Sequence, residues 1–193
     1  LATPERGDRP PSMANFTAKA AMPARYVLER ADWKAAAALP LTATEYPQAD
    51  SLTHFTRGLG LARLGDRAGA AREIDAMQRL RVAMEKSGDK YWADRSQDQI
   101  LAVSAWVALA EGATDGAATL MRQAADSEDA SIKHVAMENR LYPMRELLGE
   151  LLREPGRSTD AHTEFTKALK HQPTRYRGLY GAARAAEAAG DTA

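Results

Sequence analysis

The sequence predicts an all-α fold, an α-α superhelix in which antiparallel helix pairs stack into a solenoid. Three observations point there. One 34-residue stretch, Tyr142 to Arg175, sets small and large apolar residues at the spacing of two packed helices. The same register returns, more or less completely, at four other places in the chain. Helix-favouring Ala, Leu, Arg, Glu and Met dominate, and β-branched runs are absent.

With Tyr142 as position one, Leu148-Gly149 fall at seven and eight, Leu152 at eleven, Ala161 at twenty, Phe165 at twenty-four, Ala168 at twenty-seven and Pro173 at thirty-two. Small residues at eight, twenty and twenty-seven let two helices approach, and the larger ones fill the space between them. A window from Thr17 has Ala20, Ala24 and Val27, a turn at Ala31-Asp32 and Ala36, and its second helix is cut short by Pro40. From Ser51 the register gives Gly58, Leu61, the turn Gly65-Asp66, Ala70 and Ile74. From Asp98 it gives Leu101, Ala105, Ala108, Gly112, Ala117 and Met121. The last window, from Tyr176, has Leu179, Ala183, Ala186 and Gly190-Asp191, enough for a first helix alone.

These signals predict a leader over 1–12 and one solenoid domain over 13–193, with units near 17–40, 51–87, 98–134, 142–175 and 176–191. Helices are expected near 14–30, 33–39, 48–64, 67–87, 90–111, 116–127 (running on toward His134), Pro143 to Glu154, 158–171 and 174–189. Gly65-Asp66 supplies a left-handed turn residue and then a helix cap. Thr114 or Asp115 is expected to cap the sixth helix, Pro143 to sit in the first turn of the seventh, and Ala136 to Leu141 to form a loop. Trp33 is expected to pack the short second helix on the first, and Trp92 and Trp106 to share a core face.

Composition narrows the chemistry. The chain has 193 residues, 45% hydrophobic and 27% charged, enough apolar content for a core. Lys plus Arg and Asp plus Glu are each 26, so the formal net charge is zero and the basic excess of a nucleic-acid binder is missing. No stretch approaches the roughly 20 apolar residues of a membrane span, and residues 1–12 do not read as a signal peptide. Position 1 is Leu rather than Met, which predicts a processed form or a piece of a longer protein. There is no cysteine, hence no disulfide or thiol chemistry and no choice between cytoplasm and periplasm. Asn15-Phe16-Thr17 matches a glycosylation sequon and is read as chance.

Enzyme signals are weak, and no cofactor or metal is expected. His54, His134, His162 and His171 form no metal-spaced pair. His134, beside Lys133, Glu138 and Arg140, is the most site-like of them. Glu146, Glu150 and Glu154 form an i, i+4 row that could act as acid and base. The interleaved Arg145 and Arg153 favour a solvated charged face. Gly58-Leu59-Gly60-Leu61 opens like a dinucleotide fingerprint, but its third glycine would fall at Arg63 and no strand precedes it.

The Tyr142 unit resembles the tetratricopeptide repeat. Met22-Pro23-Ala24-Arg25-Tyr26, Glu29-Arg30-Ala31-Asp32-Trp33, Arg145-Glu146-Leu147-Leu148-Gly149 and Gly181-Ala182-Ala183-Arg184-Ala185-Ala186-Glu187 resemble the C-terminal part of long bacterial proteins of that family. The resemblance covers most of residues 20–191. It implies a right-handed solenoid, an N-terminal half lying upstream, and a binding groove at first-helix positions two, five, nine, twelve and thirteen. Those positions hold Phe55, Leu59 and Arg63, then Gln99 and Trp106, then Glu146, Glu150 and Arg153, and finally Tyr180 and Arg184. The family's two-carboxylate clamp needs Lys and Asn where this chain has Phe55 and Leu59, so that ligand mode is not expected.

The implied function is a non-catalytic protein-interaction scaffold. An extended peptide or helix would lie on Phe55, Leu59 and Trp106, with charges at the exit. In the other reading, the chain's own leader or a neighbouring repeat covers those residues. Two further roles stay open: homodimer assembly through the C-terminal helix, and a helper domain for an upstream activity.

Overall fold

The structure is a computed structural model that describes residues 12–131 and 140–190. Residues 1–11 of the expected leader, the extension of the sixth helix to His134, and the loop residues 136–139 lie outside the described residues. So does His134 with Lys133 and Glu138. Nine helices form among the described residues: α1 (Met13–Glu29), α2 (Trp33–Ala37), α3 (Pro47–Arg63), α4 (Arg67–Lys86), α5 (Lys90–Ala110), α6 (Thr114–Ala130), α7 (Met144–Arg153), α8 (Ser158–His171) and α9 (Tyr176–Ala189).

Turn chemistry sets the boundaries. Asp32, Asp66 and Asp89 stand at N-caps, and each accepts a hydrogen bond from the backbone N–H three residues on. The residue before each is left-handed: Ala31 at φ 51°, Gly65 at 82° and Gly88 at 81°. Gly112, Gly156 and Gly190 repeat that conformation at three later helix ends. Three boundaries differ from expectation. The sixth helix starts at Thr114 with Ala113 as an N-cap that makes no side-chain bond. Pro143 stands just before α7 with extended ψ 126°, not inside its first turn. Pro47, expected in the loop, occupies the first turn of α3, where its missing N–H costs nothing.

The helices pack as an all-α repeat solenoid. Every helix contacts its neighbours in sequence. The odd-numbered helices also contact one another in order, α1 on α3, α3 on α5, α5 on α7 and α7 on α9. They form an inner row, with α2, α4, α6 and α8 laid outside it. One core cluster runs the length of the stack, from Ala24 and Leu28 through Phe55, Leu59, Val103 and Met121 to Leu148, Phe165 and Ala185.

The small residues do what their spacing predicts. Phe165 of α8 is buried between α7 and α9. A Cβ at Gly149 would stand 2.8 Å from its ring, and one at Gly181 would meet the same ring. Ala161 and Ala168 are buried one turn to either side of it. Gly60 plays the same part for α2: a Cβ there would lie 2.7 Å from the Trp33 carbonyl and the Ala37 amide nitrogen. The short helix therefore lies directly on the α3 backbone. No described helix is long and apolar enough to cross a membrane.

Candidate binding cleft

Positions five and nine of the inner helices trace a gradient along the row. In α3 they are Phe55 and Leu59, both fully buried, and in α5 they are Ala102 and Trp106, also buried. Gln99 at position two is buried as well. The cover over α3 is the chain's own first hairpin, because α1 and α2 both pack on it. The apolar middle expected to line a groove is therefore core.

Arg63 closes the C-terminal end of α3. Its guanidinium carbon lies 4.0 Å from the Trp106 ring centroid and 4.6 Å from that of Trp33, so two indoles flank one cation. Nη2 stands 3.3 Å from a carboxylate oxygen of Glu154. Nη1 is 4.0 Å from Glu150 Oε2, and neither of these buried atoms makes a hydrogen bond.

In α7 the same register holds charges. Glu146 is 1% exposed, and Glu150 is largely buried. The expected solvated face is corrected here: only Glu154 of the glutamate row is open to solvent. The reason is α9, which covers α7 and brings arginines with it. Arg175 donates to Glu146 from Nε at 2.6 Å and from Nη2 at 3.1 Å, and it pairs with Glu29 of α1 at 2.8 Å. A side chain at position 178 would crowd Glu146 Oε1 at 3.1 Å, which suits glycine there. Burial pushes the Glu146 carboxyl above its ordinary range, and Arg175 only partly opposes that.

Glu150 accepts the Tyr142 hydroxyl at 2.6 Å and a short bond from Arg177. Arg177 Nε donates to the Tyr142 oxygen at 2.7 Å, and Nη1 donates to the Glu29 carbonyl at 3.2 Å, an unpaired acceptor at the end of α1. Burial, then Glu150, hold the Tyr142 phenol well above its usual value. Across the outer layer Arg145, also buried, reaches Asp126 and Asp129 of α6 at 2.7 Å and Glu164 of α8 at 2.9 Å.

These bonds draw the end of α1, the end of α3, α7 and α9 around one cleft of about 440 Å³. Arg30, Arg63 and Arg153 line it, with Glu154 and the aromatic edge of α9. Tyr176 and Tyr180 stack there with centroids 5.9 Å apart and planes 15° from parallel. They are 75% and 53% exposed, unlike Phe55, Trp106 and Phe165, which are buried in the core. Arg184, one turn on, is exposed and pairs with Glu187. A shallower cleft bounded by Trp33, Trp106 and Pro155 adjoins it and shares Arg63 and Glu154. An apolar cavity of about 310 Å³ lies elsewhere, between α1 and the connection into α3, and has no comparable charge cluster.

Of the ten residues singled out by register, Arg63, Glu150, Arg153 and Tyr180 line the cleft. Phe55, Leu59, Gln99, Trp106 and Glu146 are buried and do not line it, and neither does the exposed Arg184. Register missed Arg30 and Tyr176, which line the cleft, and Arg175, which pairs with Glu146 and Glu29. Arg175 stands at the last position of its unit, where no groove residue is sought. Among the described residues no group of three or more His, Cys, Asp or Glu is placed to hold a metal ion. Comparison with protein-family models, curated proteins and solved structures finds no match.

Proposed function

We propose that the protein is a non-catalytic scaffold of tetratricopeptide-like repeats that binds a segment of another protein in the cleft between α1, α7 and α9. The stacked, solvent-facing Tyr176–Tyr180 pair at the cleft edge carries this reading. Large rigid aromatics in a concave, charged rim are the usual anchors of protein recognition. Phe55, Leu59, Ala102 and Trp106 are buried in the rest of the inner row, whereas this cleft and the shallower one adjoining it are open.

The test is selection of peptides from a random display library on the whole chain, followed by titration of the winners. The expected result is binding that falls at least about tenfold in Tyr176→Ala/Tyr180→Ala. Winners indifferent to both tyrosines, or no winners at all, would refute the reading. Assembly is a second reading, favoured by Leu179, which is exposed next to Tyr180. It requires a concentration-dependent dimer in sedimentation equilibrium that Leu179→Glu abolishes.

A further inference from the structure

We propose that the segment taken by this cleft is acidic, with side-chain carboxylates that meet Arg30 and Arg153 and an apolar or aromatic residue on the Tyr176–Tyr180 stack. This rests on the binding reading above. The charges of the cleft decide it. Glu154 already faces Arg63, Glu150 already holds Arg177, and Glu29 is paired with Arg175. Two cations remain. Arg30 lies 5.4 Å from the Tyr26 ring on its own helix and makes no ion pair among the described residues. Arg153 makes no hydrogen bond, ion pair or ring contact among them.

Each of the two sits at a helix C-terminus, where the helix dipole favours a cation. That accounts for each arginine alone. It does not account for two uncompensated arginines on different helices lining one concave site beside two exposed tyrosines. Arginine presents a planar fork suited to carboxylate oxygens. An acidic segment gains from both, whereas a basic one meets their repulsion with every cleft carboxylate already engaged.

The experiment titrates the full chain with a short fluorescein-labelled, C-terminally amidated peptide of alternating Glu and Leu around one Trp. Its Glu→Gln and Glu→Lys counterparts and a labelled oligothymidine are run beside it. The Glu peptide is expected to bind at least about tenfold tighter than the Gln peptide, and to weaken as salt rises. Arg30→Glu/Arg153→Glu, at positions that make no ion pair among the described residues, is expected to reverse the preference toward the Lys peptide. That reversal separates a lost charge from a lost fold. Equal affinity for the Glu and Gln peptides, both lost in Tyr180→Ala, overturns the acidic preference and leaves the binding reading intact. Oligothymidine binding more tightly than any peptide, or no binding at all, overturns both.

Discussion

Phe55 and Leu59 in α3, and Glu146 and Glu150 in α7, occupy the same two positions of the repeat, and both pairs are largely or wholly buried. The first half of the inner row is sealed by apolar packing under α1 and α2. The second half is sealed by arginines from α9 laid on carboxylates of α7. Burial here follows position in the stack, not polarity. A helix laid over that row must either match apolar surface or bring counter-charges, since an unpaired buried charge is far costlier than a hydrophobic contact is favourable. Where no helix follows, beyond α9 among the described residues, the same positions hold exposed Tyr180 and Arg184.

The largest expected effects set the two seals against each other. Phe55→Ala and Arg175→Met should each destabilise the fold by about 3–5 kcal/mol at neutral pH in urea unfolding. They should part company in acid. Glu146, already raised by burial above its ordinary 4.5, favours the protonated form on folding, and more so without Arg175. The stability at stake is present below pH 4.5 and is lost as pH rises through the folded-state value. The cost of Arg175→Met should therefore shrink toward pH 4.5, while that of Phe55→Ala stays level. Parallel pH profiles would break the distinction.

A smaller effect concerns Glu128 of α6, also on the charged side. It is buried, accepts the Met144 N–H at 2.8 Å and pairs with Arg140 at 3.1 Å. Burial pushes its carboxyl from 4.5 up to about 7, against the pull of Arg140 and the Met144 N–H. Unfolding releases its proton between those values, so stability should fall as pH rises from 4.5 to about 7, by roughly 3 kcal/mol. Glu128→Gln should flatten that part of the curve. An unchanged slope would place the titration elsewhere.

The smallest effect tests the hairpin that closes the apolar half. Ala31 adopts φ 51° where the other helix ends of this kind use glycine. Ala31→Gly should raise stability by about 0.5–1 kcal/mol, as relief of the left-handed strain outweighs the added chain entropy. A lower midpoint in thermal unfolding would show that the closure does not strain Ala31.

The turns and helix pairs were legible because their signals are local. Gly65-Asp66 ends one helix and caps the next within a few residues, and Gly149, Ala161 and Phe165 meet at fixed offsets inside one unit. Register also found four residues of the cleft, because the inner row does face inward. It could not tell which of its residues are covered. Glu146 looked solvated because its own helix offers Arg145 and Arg153, yet its partner is Arg175, which lies 29 residues on. Arg30 carried no signal, since it joins the cleft only when the end of α1 is held to α9 through Glu29. The sequence by itself determined where the turns fall, to within a residue or two of each helix start, which faces are small and which large, and that the pairs stack, because these depend on backbone preference and short-range spacing. Tertiary structure alone decided that the apolar row is core, that the charged row is paired, and that the cleft between α1, α7 and α9 stays open. Those outcomes depend on which distant helix the curvature of the stack lays over each position.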